Sequence, residues 1–358
     1  MFWIGLSSIP GVGRATFGKL IRTIGSPDRV LSASREELEQ IPGVPAKVIS
    51  AIRSFPWQEH AEKELAQARA SDVAIITREN SRYPEALRHI PDPPLFLYVK
   101  GDLLPGDGNA VAIVGTRKPT HYGISVTRRI SEELSAAGIT IVSGMARGID
   151  TEAHRGALSA KGRTIAVLGC GVDVAYPPEN RGLMEEIGKS GAVLSENPFG
   201  TQPESGYFPA RNRIISGLAR GTVIIEASED SGSLITAQFT REQDRKLFAV
   251  PGNIGSPASK GANSLIKQGA ALVEGAADIL QHFNVKLATG VPTDSTTGQA
   301  LTNEETAIFT CVNADPKHID AIMAESGSAA GKLSGILMSL ELKGVVRQLP
   351  GKYFVRQI

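Results

Sequence analysis

Between residues 110 and about 283 the chain alternates short apolar runs with amphipathic stretches. The runs are Val111–Val114 (VAIV), Thr140–Val142 (TIV), Thr164–Leu168 (TIAVL), Val193–Ser195 (VLS), Thr222–Ile225 (TVII) and Leu247–Val250 (LFAV). Each is too short for a helix and mostly apolar, which is the pattern of a parallel strand covered on both faces. Helical stretches fill the intervals, as in Ser125–Ala137 and Thr151–Ser159. Six such units predict an α/β domain with a Rossmann-like, doubly wound, mainly parallel sheet, whose ligands sit beyond the carboxyl ends of the strands.

The flanks follow other patterns. Residues 1–70 are helical and carry an internal echo: Ile9-Pro10-Gly11-Val12-Gly13 precedes one helical stretch and Ile41-Pro42-Gly43-Val44-Pro45 precedes another. Apolar-Pro-Gly-apolar-Gly resembles the turn of a helix-hairpin-helix (SAM-like) pair, in which glycines let backbone approach and the next helix offers N–H groups to a phosphate. The second copy has Pro45 in place of a glycine and so lacks one donor. A small helical packing module that binds nothing is the competing reading. Residues 71–109 form a connector with two short strands, Val73–Thr77 and Leu95–Val99, so the α/β domain is assigned to 71–283 with its core at 110–283. Residues 284–302 are polar, Thr-rich and aperiodic, as in a linker. From 303 to 358, three helical stretches precede two strand-like runs around Pro350-Gly351, the order of a winged helix. That segment has six acidic and six basic residues. Its candidate recognition helix carries only Lys332 as a cation in its first turns, whereas readers of specific duplex sequences usually show a basic face. A protein-contact or structural role is therefore favoured over auxiliary DNA binding, and both over sequence-specific reading.

Composition narrows the chemistry. With 358 residues, 41% apolar and 21% charged, the chain is an ordinary globular protein of more than one domain. A net charge of +1 excludes steering of a polyanion by the whole molecule, so any nucleic-acid site must be a local patch. The two cysteines, Cys170 and Cys311, are far apart, which predicts a reducing compartment, no disulfide framework and no zinc cluster. No metal or other cofactor is expected. The N-terminus lacks the basic region of a signal peptide and no apolar run approaches the ~20 residues of a membrane span, so a cytoplasmic location is expected.

The predicted strand ends are rich in Gly, Ser, Arg and Lys. After the first run comes Gly115-Thr116-Arg117-Lys118, which is neither G-x-G-x-x-G nor a Walker A loop, so neither a dinucleotide nor a nucleoside triphosphate is supported. It offers two adjacent cations; a turn with solvated surface charges is the alternative. After the second run, Ser143-Gly144-Met145-Ala146-Arg147 again suits a phosphate, and Asp150 reads as a helix cap. Cys170, with no base near it, reads as an inert buried thiol. The densest stretch is Gly206–Ala237. There Phe208 offers a ring face, Arg211 and Arg213 offer forked donors, and Asn212 offers an amide. Ser231-Gly232-Ser233 opens a helix at which an anion can sit. Glu226 is the one carboxylate at a central strand end that suggests catalysis, and without a partner it is read as structural. Phosphate donors beside an aromatic platform suit single-stranded nucleic acid.

Five segments, VAIVGTRKPTHYG, SGMARGID, FPARNRIISGL, EASEDSGSLITA and FAVPGN, together resemble the DNA-processing protein A family (DprA/Smf), and the resemblance covers the α/β region nearly end to end. It implies a non-catalytic, homodimeric protein of natural transformation. Such a protein binds and protects incoming single-stranded DNA, displaces single-strand-binding protein and loads the RecA recombinase. It places the DNA pocket on Arg117 and Lys118, the Ser143-Gly144 turn, Phe208, and Arg211-Asn212-Arg213. Some members carry a lysine three residues before the aromatic; Ser205 stands there in this chain. Two other readings remain. One is a Rossmann-like nucleotide phosphoribohydrolase, whose Pro-Gly-Gly-x-Gly-Thr-x-x-Glu turn is replaced here by Ser231–Ala237 without that glutamate. The other is a winged-helix transcription regulator.

Overall fold

The computed structural model describes residues 1–285, 301–313 and 316–356. Most of the expected linker, 286–300, lies outside the described residues. The central apolar runs become the strands β3 (Ala110–Val114), β4 (Thr140–Ser143), β5 (Thr164–Val167), β6 (Ala192–Ser195), β7 (Gly221–Ile224) and β8 (Lys246–Ala249). Upstream are β1 (Val73–Thr77) and β2 (Phe96–Gly101), and downstream is the two-residue β9 (Ala271–Leu272). All nine form one sheet in the order β1-β2-β6-β5-β4-β3-β7-β8-β9. Pairing is parallel from β6 across to β9, while β2 runs antiparallel to both β1 and β6. The residues read as a connector thus extend the sheet beyond β6 with an antiparallel edge. β9 was missed because two residues carry no periodicity.

Strand order decides where a ligand can bind. The chain lays down β3, β4, β5 and β6 in one direction, then crosses back to place β7 on the other side of β3. The connections after β3 and β7 therefore leave in opposite directions and open a crevice at the carboxyl edge, the switch point at which doubly wound sheets hold ligands. β3 is buried at every position. Its alternate residues divide between two cores, Ala112 and Val114 with Ile214, Ile215 and Leu218, and Val111 and Ile113 with Val126, Ile130 and Leu134. This period of two, apolar on both faces, explains why the strand reads as an unbroken apolar run.

The N-terminal region packs around Leu6, Phe17, Leu20, Leu38, Ile49 and Ile52. Its helices Arg14–Ile24 and Ala46–Ser54 each follow a turn whose glycine has positive φ, 86° at Gly11 and 72° at Gly43. A β-carbon is strained at such angles, which accounts for the repeated Pro-Gly. The C-terminal region has helices Asn303–Cys311, Ile319–Ser326 and Ala330–Leu342, followed by a wing of β11 (Val346–Leu349) and β12 (Tyr353–Arg356). A short β10 (Lys317–His318) pairs with β12 to complete a three-stranded winged-helix sheet. Among the described residues no helix is long and apolar enough to cross a membrane, and no cluster of His, Cys, Asp and Glu has the form of a metal site.

Candidate nucleic-acid interface

The crevice between the ends of β3 and β7 is a groove of ≈ 690 Å³. Its walls include Thr116, Arg117 and Lys118 from the turn after β3, and Phe208, Arg211 and Asn212 from the helix Tyr207–Leu218. Ser231, Gly232 and Ser233, at the start of the helix Ser233–Glu242, close the side after β7.

The β3 turn is held tightly. A β-carbon on Gly115 would lie 2.7 Å from Ile149 Cγ1 and 2.9 Å from the Glu226 carbonyl oxygen. The Thr116 N–H donates to that carbonyl (2.7 Å), and the Thr116 carbonyl accepts from the Ile149 N–H (3.2 Å). Thr120 caps the helix His121–Ala136 by accepting from the Gly123 N–H (3.1 Å). It donates to the buried Glu226 carboxylate through both its N–H (2.9 Å) and its hydroxyl (2.6 Å). Glu226 is thus a brace for the turn, with both carboxylate oxygens engaged. The exposed apex carries Arg117 and Lys118, and among the described residues neither meets a carboxylate within ion-pair distance.

Phe208 is half-buried. Its ring packs over Gly169, where a β-carbon would come within 2.9 Å of Cδ1, and sits 5.4 Å from Tyr176 at 33°. The Arg117 guanidinium carbon is 5.6 Å from the Phe208 centroid, close enough for a cation–π contact. An aromatic face and a cation therefore meet on one wall. Helical periodicity explains the grouping: Phe208, Arg211, Asn212 and Ile215 lie at i, i+3, i+4 and i+7 and line the groove as one stripe.

The other expected residues behave differently. Arg211 is 5% exposed. Its guanidinium donates to the carbonyls of Gly144 and Val167, at the ends of β4 and β5, and would collide with any side chain at position 144. Burial lowers its pKa to about 10, with Asp150 opposing the shift. It touches the groove but serves first as an internal tie. Arg213, two residues on and so on the opposite side of the helix, does not line the groove. It pairs with Glu196 (2.6 Å) and Asp92 (3.1 Å), and Arg14 of the N-terminal region joins both carboxylates at 2.9 and 3.3 Å. Placing Arg213 in the DNA pocket therefore disagrees with its position. Ser143 is fully buried and donates to the Ile113 carbonyl (2.6 Å), so its hydroxyl supports the sheet. Gly144 lines only the narrow recess beside the groove, beneath Arg211, with Arg147 at its rim. Arg147 is exposed but pairs with Glu179, its Nη2 3.1 Å from Oε2. Asp150 does not cap its own helix: its carboxylate accepts from the N–H groups of Gly144 (3.1 Å) and Ala146 (3.3 Å), bracing the loop before it. Burial raises its pKa, against the pull of Arg211. Asn212 donates to the Gly232 carbonyl (3.4 Å), bridging two walls, and the Ser231 and Ser233 hydroxyls bond each other (2.7 Å). Tyr176 and Asp230 also line the groove, Asp230 on the side after β7. Sequence reading passed over both, although Tyr176 stands in a turn already marked by Pro177 and Pro178. Ser205 opens onto the same groove.

Residues 74–284 match the family model for DNA recombination-mediator protein A, residues 292–352 that for the DprA winged helix domain, and residues 4–55 that for a SAM-like helix-hairpin-helix tandem. Protein Smf of Synechocystis sp. is 36% identical over 392 residues, covering 99% of this chain and 98% of that protein. DNA processing protein DprA of Bacillus subtilis is 44% identical over 220 residues, or 61% of this chain and 74% of that protein. The structure of DNA processing protein A from Streptococcus pneumoniae superposes with a TM-score of 0.68 at 34% identity, covering 78% of this chain and 95% of that one. That of DNA processing protein A from Helicobacter pylori, solved for its single-stranded DNA binding mode, gives 0.54 at 34% identity over 60% and 97%.

Proposed function

Since the chain belongs to the DNA recombination-mediator protein A family, we propose that it is a single-stranded-DNA-binding mediator of DNA processing in natural transformation. In this reading it acts without catalysis and as a homodimer in the cytoplasm, protecting incoming strands and handing them to RecA in place of single-strand-binding protein. The observation that carries the reading is the groove itself: two exposed cations, Arg117 and Lys118, stand beside the half-open ring of Phe208 at the switch point of the sheet. Phosphates bind the cations and a base stacks on the ring, and neither contact depends on sequence. The H. pylori relative, described as binding single-stranded DNA, supports the assignment. The commitment of Glu226 to Thr120 supports a non-catalytic site. Arg117, Lys118, Phe208, Asn212 and the Ser231–Ser233 turn form the contact surface; Gly144, Arg147 and Arg211 shape it from the side and below. The test is binding of single-stranded and duplex DNA at two salt concentrations. Preference for the single strand with a salt-dependent affinity is expected. Tight duplex binding with indifference to single strands, or release of free base from nucleoside monophosphates, would replace this reading with a regulator or a hydrolase.

A further inference from the structure

A second, smaller hollow of ≈ 400 Å³ lies on the same carboxyl edge of the sheet, lined by Thr120, Tyr122, Glu226, Pro251, Gly252, Asn253, Ser256 and Ser259. The two hollows approach each other along two short stretches of chain: Lys118 and Ser228 line the groove, and Thr120 and Glu226, two residues away in each stretch, line the second hollow. One side of the hollow is formed by the loop after β8, the strand next to β7.

At the tip of that loop stands Ile254, 92% exposed, the most exposed large hydrophobic side chain among the described residues. Leaving such a side chain in water forgoes the free energy that burying it would release. The loop beneath it is pinned rather than loose. Gly252 exchanges two hydrogen bonds with the Asn263 side chain (3.1 and 3.0 Å), and Asn253 Oδ1 accepts from the Gly255 N–H (2.8 Å). The Ser256 N–H donates to the Asn253 carbonyl (3.0 Å), and the Gly261 N–H donates to the Ala227 carbonyl (2.7 Å). Ile254 is therefore presented at a set position. Exposed Lys260 follows the same loop, and among the described residues no carboxylate pairs with it. The elements repeat those of the groove: an apolar surface for a base face and a cation for the backbone.

We infer that the DNA strand continues out of the groove over Lys118–Thr120 into this second hollow, with a further base against Ile254 and a further phosphate at Lys260. This rests on the proposed single-strand binding and adds its direction and extent. The test compares wild type with Ile254→Ser and with Ile254→Ser/Lys260→Ala, using oligothymidylates of increasing length in fluorescence anisotropy. For wild type, affinity rises as the oligomer grows long enough to leave the groove. In the double variant that later rise is lost, on the order of tenfold, while the shortest bound oligomers are unaffected. A second readout uses Ile254→Cys labelled with a benzophenone maleimide, since the native Cys170 and Cys311 are buried. Crosslinking to the oligonucleotide is expected. Unchanged length dependence, loss of affinity at every length, or crosslinking to a second protein copy instead of DNA would overturn the inference and leave the groove assignment standing. Failure of wild type to bind any oligothymidylate would overturn both.

Discussion

Replacing Arg117 and Lys118 together by alanine removes the two exposed, unpaired cations of the groove. The consequence follows from counterion release. Each phosphate neutralised on a single strand contributes about 0.7 to the slope of log K against log salt, so two lost contacts flatten that slope by about 1.4. Over a tenfold range of salt the difference amounts to ~25-fold in affinity, largest at low salt. The fold is expected to be indifferent, because the turn is held by backbone bonds to Glu226 and Ile149 and by Thr120, none of which involves these side chains. The assay is anisotropy with a labelled oligothymidylate at four or five salt concentrations, alongside the thermal midpoint. The control is Arg211→Ala/Arg213→Ala, which removes the same formal charge. Its partners are main-chain carbonyls, the largely buried Glu196 and the exposed Asp92, all of this chain, so it should lower stability and leave the slope of any folded fraction close to wild type. An unchanged slope in Arg117→Ala/Lys118→Ala, or a slope lowered by about 1.4 in a stable Arg211→Ala/Arg213→Ala, would refute the assignment of phosphate contacts.

Phe208→Ala should weaken single-strand binding by ~1–3 kcal/mol, the usual loss for one base-stacking platform, with little change of salt slope; titration at two salt concentrations separates the two effects. Arg213→Ala should destabilise the protein by about 3 kcal/mol in urea unfolding, the lower part of the range for breaking a buried pair, because Arg14 still holds Glu196. His154 should make the protein acid-sensitive. The Thr164 hydroxyl donates to the Ile141 carbonyl (2.9 Å), so it accepts from His154 Nδ1 (2.6 Å), and the ring proton lies there. Nε2 is buried without a partner, and burial, aided by Arg211, lowers the pKa to about 3 from the ordinary 6.5. Stability contributed by the neutral ring is complete above pH 6.5 and falls as pH drops toward 3, by about 1.4 kcal/mol per pH unit for one proton. His154→Gln should flatten that part of the stability–pH curve; an unchanged curve would show that other groups set it.

The sheet was legible because its central strands are buried on both faces, and a strand with no solvent side carries mostly apolar residues, with a hydroxyl such as that of Ser143 only where it finds an internal partner. The two-residue strands β9 and β10 were not, since neither is long enough to hold a period. The site was half legible. Gly115, Gly144 and Gly148 announce turns where backbones or a guanidinium pass too close for a β-carbon, and Arg117 and Lys118 stand in the first of them, while Phe208 on the following helix packs over Gly169. Arg211 does reach the groove, but setting Arg213 beside it there treats adjacency in sequence as adjacency in space. On a helix, residues two apart point about 200° from one another. The pair therefore could not serve one ligand, and this much was readable once the stretch was taken as helical. What Arg213 binds was not readable, since Asp92 lies on the far side of β2 and β6 in sequence and Arg14 in a different region of the chain.

The burial of those arginines limits what the groove can do. Of the five cations expected there, Arg213 is bound by Asp92 and Glu196, Arg147 by Glu179, and Arg211 is turned onto carbonyls beside Asp150. Two free charges remain, in a protein whose net charge is +1. If Arg117 and Lys118 each meet one phosphate, as proposed, a single groove neutralises two, and its affinity is expected to fall only about 25-fold over a tenfold rise in salt. Tight binding at physiological salt then requires stacking, a longer track or a second copy on the same strand. The three differ in what they do to the slope. Stacking on Phe208 raises affinity and leaves the slope near 1.4; a track extended to Lys260 adds about 0.7; two copies on one strand double whichever value a single copy shows. A slope near 1.4 at protein concentrations that keep one copy per oligonucleotide would favour stacking as the main source of affinity, and a value near 2.1 under the same conditions would favour the longer track.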